Sequence, residues 1–340
     1  MAVQGGRCHR RAQGSGRAPR FARIQRLCQA RGHDKPSFPG HFYSGVGLDR
    51  ADALRRDEAW VVARQRDPES RVVLVWRNRN LICRAAEIDA VWLRIGETAV
   101  LINGGAEPVF LGRDGETAVF AADLSHLPEA EAETLAAAHG AFEDLRAVGP
   151  LMPRRNGAIL AYARGLLYWH RRHRFCGICG SPTVSAQAGH VRRCTNADCG
   201  TEHFPRTDPA VIMLVHDGER CVLGRQKIWP PGMHSTLAGF VEPGESLEEA
   251  VAREVYEEVG LTVSTVTYES SQPWPFPSSI MLGFRATCAH APMRFATDEI
   301  ESAAWFTRAA LRASPEDESF RLPRRDSIAR RLIEDWLVEG

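Results

Sequence analysis

An α/β protein built in packed layers, with a β-rich N-terminal part and a metal-stapled ribbon between two halves, is the fold class this sequence predicts. Three observations carry that expectation. Strand-like and helix-like periodicities alternate from residue 206 onward, short Val-, Leu- and Trp-rich runs crowd the region before, and four cysteines cluster within 176–199. With 340 residues there is room for more than one core, and 44% hydrophobic against 25% charged residues is the balance of a soluble globular protein. No apolar run approaches the ~18 residues of a membrane span, so no membrane partner is expected.

Residues 1–40 hold eight Arg and one Lys against Asp34, whereas the whole chain is only +1, so the rest is net acidic. This head is expected to be a basic disordered extension. Its Arg-rich, acid-poor composition also fits a mitochondrial transit peptide or an RNA-binding arm; otherwise a cytoplasmic protein is expected. A β-rich N-terminal domain is expected over 41–150, where the runs Arg71–Trp76, Ala90–Ile95, Thr98–Ile102, Pro108–Leu111 and Thr117–Ala121 are broken by Gly and Asp-Gly turns. These predict antiparallel strands. Helices are predicted over Ala130–Gly140 and Asn156–His170, the second with Ile159, Leu160, Ala163, Leu166, Leu167 and Trp169 at helical spacing.

A linking helix and ribbon are expected over 151–205. Cys176-Gly-Ile-Cys179 and Cys194-Thr-Asn-Ala-Asp-Cys199 offer four thiolates in two knuckles, near the spacing that holds one tetrahedral Zn²⁺. Gly177, Gly180 and Gly200 stand where such turns need permissive backbone. A closed four-thiolate site is a structural staple rather than a catalyst. Cys8, Cys28, Cys83, Cys221 and Cys288 lack such company and are read as ordinary thiols.

The last domain, 206–340, opens with the hairpin Ala210–His216, Asp217-Gly218, Arg220–Gly224. A loop holding Leu237-Ala238-Gly239 follows, then a helix over Ser246–Val259, where Leu247, Ala250, Val251, Val255 and Val259 recur at helical intervals and Gly260 supplies the stop. Later come a strand near Val263–Tyr268, a Pro-rich loop, a strand Ile280–Ala286, a strand holding Trp305-Phe306, and a closing helix Asp326–Val338. Within the first of these helices Glu254, Glu257 and Glu258 share one face. Such a face repels itself unless cations fill it, and hard ions such as Mg²⁺ or Mn²⁺ prefer carboxylate oxygens and phosphates. Arg253 and Glu245 are placed to steady the loop against the helix. A solvated acidic face is the bland alternative, disfavoured by the many specified positions around it.

Gly239, five residues, Glu245, seven residues, Arg253-Glu254, an aliphatic, one residue, Glu257-Glu258, one residue, Gly260 and an aliphatic resembles the signature of the Nudix hydrolases without a gap. That resemblance implies an α/β/α sandwich whose loop-helix-loop binds two or three divalent cations and hydrolyses a nucleoside diphosphate linked to another group.

Ser271-Gln272-Pro273-Trp274-Pro275-Phe276-Pro277-Ser278-Ser279 is a second distinctive stretch. Alternate prolines hold it extended, two aromatics offer faces to sandwich a base, and Gln272, Ser278 and Ser279 add donors and acceptors. Read without context it is equally a rigid surface turn. Together with the acidic helix and the ribbon, it is similar to the NADH pyrophosphatases, the NudC-like branch, over about 130–340. The resemblance implies hydrolysis of NADH or NAD⁺ to the nicotinamide mononucleotide and AMP, removal of NAD caps from RNA in some members, structural zinc, catalytic Mg²⁺ or Mn²⁺, and a homodimer. Carried over by position, the metal sphere falls on the Ala238 carbonyl and on Glu254, Glu258 and Glu299, with Asp298 and Glu301 as neighbours of the last. Substrate contacts fall on Phe204, Gln272 to Ser279, Ala329 and Arg146. The chemistry implied is attack of water, activated by the metal ions, on one phosphorus, with Glu257 or Glu258 taking the proton.

Two other readings remain open. One is an RNA-binding module that uses the ribbon, Arg192-Arg193 and the basic head to hold phosphate. The other keeps the Nudix chemistry and changes the substrate to another dinucleotide or a sugar nucleotide.

Overall fold

The computed structural model describes residues 40–84, 87–98, 105–295 and 299–339. The basic head except Gly40, Cys8, Cys28 and residues 99–102 of one expected strand lie outside them. A 3₁₀ turn and helix α1 (Glu58–Arg66) precede strands β1 (Arg71–Trp76), β2 (Arg79–Arg84), β3 (Ile88–Ala90), β4 (Leu93–Arg94), β5 (Val109–Asp114) and β6 (Thr117–Asp123). Then come α2 (Glu129–Ala137), β7 (Ala141–Glu143), the single turn α3 (Leu145–Val148) and the long α4 (Arg154–Arg172).

These strands form one sheet of order β3-β2-β1-β6-β5, with β4 paired to β1 and β7 to β2. The expected all-antiparallel arrangement is corrected at its centre, where β1 and β6 run parallel. The physical reason lies in burial: Val73 and Val75 pack toward α4, whereas Val72, Leu74 and Trp76 pack on the opposite face. A strand covered on both faces reads as a continuous apolar run, which gives no hint of direction. Helix α1 and strands β2 and β7 were not anticipated; Arg79-Asn-Leu-Ile-Cys-Arg84 carries polar residues at both ends of a short apolar core.

The ribbon follows as β8 (Thr183–Ala186), β9 (Val191–Cys194) and β10 (Glu202–His203). Its two knuckles close through Gly180 N–H to Cys176 O at 2.9 Å and Gly200 N–H to Asn196 O at 2.9 Å, with both glycines at positive φ. The sulfurs of Cys176, Cys179, Cys194 and Cys199 all lie within 4.8 Å of one another. A tetrahedral ion with metal–sulfur bonds of about 2.3 Å sets its ligands about 3.8 Å apart, so the thiol set fits one Zn²⁺. His203 Nε2 stands 3.3 Å from Cys176 Sγ. Arg192 and Arg193, read as phosphate holders, are instead engaged inside the ribbon. Arg192 donates to Thr183 O at 2.6 Å, and Arg193 pairs with Glu202 at 2.8 Å.

The second sheet comprises β11 (Asp208–His216), β12 (Arg220–Arg225), β13 (Leu237–Phe240), β14 (Val263–Trp274), β15 (Ser279–Cys288) and β16 (Ser302–Thr307). Its order is β14-β15-β11-β12-β16, with β13 paired to β11 and a parallel β11–β15 pair at the centre. Helix α5 (Leu247–Val259) covers one face, packing Ala250, Val251 and Val255 on Val211 and Met213. The short α6 (Arg308–Arg312) and the closing α7 (Ile328–Val338) cover the other, with Leu332, Ile333 and Trp336 against Ile212 and Leu214. The segment expected as a loop at Leu237–Gly239 is a strand, and the expected Pro-rich loop is mostly strand as well. Only Pro275–Ser278 turns between β14 and β15. Cross-strand pairing has overridden proline's poor strand propensity there. Cys221 and Cys288 are buried thiols and Cys83 is half-buried. No helix among the described residues is long and apolar enough to cross a membrane.

Metal-binding energy in such a ribbon is folding energy. Stripping the ion from the full chain with a chelator is expected to lower the melting temperature on the order of several °C, and Cys194→Ser to do the same. An unchanged melting temperature after verified loss of the metal would contradict a structural role.

Candidate active site

Helix α5 is started by a reciprocal cap. Glu249 N–H donates to Ser246 Oγ at 3.2 Å and Ser246 N–H to Glu249 Oε2 at 2.7 Å. It stops at Gly260, whose left-handed φ of 69° ends the helix. Between these limits the apolar face docks on the sheet, so the adjoining edge carries Glu254 and Glu258 to β13 and leaves Glu257 half exposed.

Arg253 ties this edge to the loop before it. Its guanidinium donates to Glu245 Oε1 at 2.6 Å, Glu254 at 2.9 Å, Glu257 at 3.0 Å and the Phe240 carbonyl at 2.9 Å. Gly239 is required by close approach: a Cβ there would meet the Glu254 carboxyl carbon at 1.8 Å. Glu258 is only 3% exposed. Burial pushes its carboxyl up to about 8, the negative charges of Glu254 and Glu299 push the same way, and the Ala238 N–H opposes them. Burial also raises Glu254, against the opposing pull of Arg253.

This arrangement fits a divalent cation on its own evidence. Glu258 Oε2 is buried with no partner among the described residues, and the charges of Glu254 and Glu299 act on the same carboxyl. A hard cation would occupy that orphaned oxygen and relieve the repulsion. Ala238 lies in β13 beside Glu258, in register with Ile212. Glu299 is exposed, and its charge acts on both Glu254 and Glu258. Its neighbour Glu301 is engaged by Arg225 at 3.0 Å, and Asp298 lies outside the described residues.

The residues read as substrate contacts divide. Gln272 is corrected from a base-contacting amide to an anchor, because it is fully buried and its bonds are spoken for. Its Nε2 donates to Asp326 O at 2.7 Å and Phe42 O at 3.2 Å, while its Oε1 accepts from Ile328 N–H at 2.8 Å. Trp274 and Phe276 are corrected from a two-sided clamp: their rings meet edge to face, 5.0 Å apart at 72°, and both pack on the N-terminal core. Pro273 and Pro277 are exposed, and Pro275 is buried against α4. Ser278 Oγ donates to Asp208 at 2.9 Å, and Ser279 begins β15. Arg146 lies over the Phe276 ring at 5.8 Å. Ala329 is buried in the cluster that also holds Ile212 and Ala238, whereas Phe204 stands exposed after the ribbon.

Three residues escaped the sequence reading. Phe240, beside Gly239, leaves 61% of its surface exposed. Tyr43 packs on Phe276 at 5.3 Å and donates to Asp326 at 3.2 Å. Arg164 of α4 donates through Nε to Pro275 O at 3.0 Å and covers Phe276 at 4.8 Å, so the N-terminal domain holds the hairpin tip. Only the exposed aromatic inside the motif had a signal in sequence; the other two act across long separations.

A carboxyl raised from about 4.5 to about 8 on folding binds its proton in the native state while the unfolded chain has lost it. Stability therefore falls as pH rises through that window, by a few kcal/mol at most, and the penalty is complete above it. Without Mg²⁺ or Mn²⁺, Glu258→Gln is expected to stabilise the full chain by an amount that grows from about pH 5 to pH 8. Urea unfolding of both forms across that range checks this; a pH-independent difference would sink it.

Comparison with known proteins shows where this geometry recurs. Residues 206–328 match the NUDIX domain, 69–169 the NADH pyrophosphatase-like rudimentary NUDIX domain, and 171–204 the NADH pyrophosphatase zinc ribbon domain. The chain is 42% identical over 305 residues to an NAD-capped RNA hydrolase NudC of Mycobacterium bovis, covering 86% of this chain and 93% of that one. An NAD-capped RNA hydrolase of Macaca fascicularis is 32% identical over 366 residues, covering 92% of this chain and 78% of that one. Matches on all three parts, in the same order, mean that this chain belongs to the NudC-like NADH pyrophosphatase family of Nudix hydrolases.

Proposed function

We propose that this enzyme hydrolyses the diphosphate bond of an NAD-type dinucleotide: the free dinucleotide gives AMP and the oxidised or reduced nicotinamide mononucleotide, and the same cleavage where the dinucleotide caps RNA gives the mononucleotide and an RNA ending in a 5′-monophosphate. The observation that carries the reading is the orphaned, buried oxygen of Glu258, on the helix that packs on the same sheet as holds the hairpin of Trp274 and Phe276. The relatives' names supply the substrate class.

Glu254, Glu258, Glu299 and the Ala238 carbonyl are the groups that would hold Mg²⁺ or Mn²⁺, two or three ions in all. Such cations supply charge neutralisation at the diphosphate and a more acidic bound water. Arg253 keeps Glu254 and Glu257 in place against their mutual repulsion. Glu257 is half exposed and hydrogen-bonded only through Arg253 among the described residues, so it is open to solvent and is our choice to take the proton from the attacking water. The Gln272 anchor and the Arg164 bond fix the hairpin, whose aromatic edges and exposed prolines would limit what fits. Phe204, Arg146, Ser278, Ser279 and Ala329 are proposed to line the remaining substrate path. Zn²⁺ in the ribbon is structural, the protein works as a homodimer, and the cytoplasm is the compartment proposed.

Incubating one preparation with NADH, NAD⁺, ADP-ribose and NAD-capped RNA, with products weighed by mass spectrometry, tests the substrate. Cleavage between the two phosphates of NADH and of the cap is expected, and failure on every NAD-type substrate in Mg²⁺ and in Mn²⁺ would overturn the reading. Glu258→Gln is expected to lower NADH turnover by at least about 10²-fold while keeping its fold. Undiminished turnover in that variant would remove Glu258 from the site.

A further inference from the structure

On the far side of the hairpin turn lies a cavity of about 370 Å³ between the last turn of α4, the start of β11 and Ser278. Tyr168 and Arg172 line it from α4, Arg206 from the segment before β11 and Asp208 from the first position of β11. Its wall is braced: Asp208 accepts from Ser278 at 2.9 Å and from Arg206 at 2.5 Å, so the turn that closes the aromatic hairpin also shapes the cavity. Asp208 precedes Ile212, the residue paired with Ala238, by four positions on one strand. At about 3.3 Å per residue that separates cavity and carboxylates by roughly 13 Å along β11.

Arg172 distinguishes the cavity. It is exposed and has no ion-pair or hydrogen-bond partner among the described residues, unlike Arg171 one position before, which is tied to Asp123 at 3.2 Å. A cation ending a helix often only complements the dipole. Here it borders a volume large enough for one nucleotide, beside the unengaged hydroxyl and flat ring of Tyr168. Phosphate and a base are the groups that such a pair recognises.

We propose that this cavity is a nucleotide subsite, separate from the cleaving centre, that takes the first nucleotide of an RNA carrying the dinucleotide at its 5′ end. It rests on the reading of the enzyme as acting on capped RNA. In that arrangement the diphosphate lies at Glu254 and Glu258, the cap runs along the hairpin, and the attached nucleotide enters beyond Ser278. Arg172 meets its phosphate and Tyr168 stacks on its base. The ribbon arginines, occupied within their own fold, play no part.

Two measurements on the full chain test it. In the first, Arg172→Ala and Tyr168→Ala are expected to cut kcat/KM on NAD-capped RNA about tenfold, with kcat/KM on free NADH within about twofold of the unaltered enzyme. In the second, Arg172→Ala is expected to weaken binding of a short 5′-phosphorylated single-stranded RNA, read by fluorescence anisotropy, and to reduce the salt slope by about 0.7. Equal losses on capped RNA and NADH would assign the cavity to the dinucleotide itself and overturn the proposal, as would no loss on either. If the unaltered enzyme cleaves neither substrate, the proposed function fails, and the anisotropy measurement still decides whether Arg172 holds RNA. Unchanged affinity and slope there would overturn the subsite.

Discussion

The guanidinium of Arg253 is the interaction on which the rest of the cleaving centre depends. Glu254 and Glu257 on α5 and Glu245 in the loop would otherwise drive loop and helix apart, and each accepts a hydrogen bond from it. By spanning Glu245, Glu254, Glu257 and the Phe240 carbonyl, one planar cation fixes the strand end, the loop and the helix edge together. A lysine at this position would present a point charge without that fork. Glu258 alone is left out of the arrangement. Its unmatched buried oxygen is the feature that a divalent cation, bound as proposed, would satisfy.

The two sheets explain why the chain carries a second, non-cleaving half. Each centres on a parallel pair, β1 with β6 and β11 with β15, and each has a short strand, β4 or β13, antiparallel to its first member. Each is flanked on its other side by a hairpin partner, β2 or β12. After β13 the chain inserts the acidic loop and helix, whereas the described residues between β4 and β5 hold a 3₁₀ turn, Ile95–Thr98, and no α-helix. The first half thus repeats the framework without the carboxylates. Its contribution is mechanical: α4 and Tyr43 hold the tip and the aromatic rings of the β14–β15 hairpin.

The division between what was legible in sequence and what was not follows contact range. The helix from Leu247 to Val259 and its cap are written in nearby residues, because periodicity, Ser246, Glu249 and Gly260 all act within a few positions. The cysteine knuckles are local for the same reason. Gln272 looked like a ligand because its amide chemistry is visible in sequence while its partners Phe42, Asp326 and Ile328 are distant. The parallel centre of the first sheet and the Arg164 bond to Pro275 are equally non-local. The edge-to-face packing of Trp274 and Phe276 depends on Tyr43, more than two hundred positions away.

These long-range bonds also separate bond breaking from substrate choice. In the function proposed, the carboxylate cluster supplies only oxygens and charge, which carry no information about the group linked to the diphosphate. Selection then has to come from surfaces that differ between one linked group and another, a role proposed here for the hairpin. Its tip is held by Arg164 and its base by Gln272, anchors on different parts of the fold. A shift in either anchor would re-aim Trp274 and Phe276 without touching Glu254 or Glu258. Close packing transmits such shifts rather than absorbing them. If the hairpin reads the linked group as proposed, the half without the carboxylates influences which dinucleotide is cleaved through its hold on the hairpin tip, while the half that has them sets how.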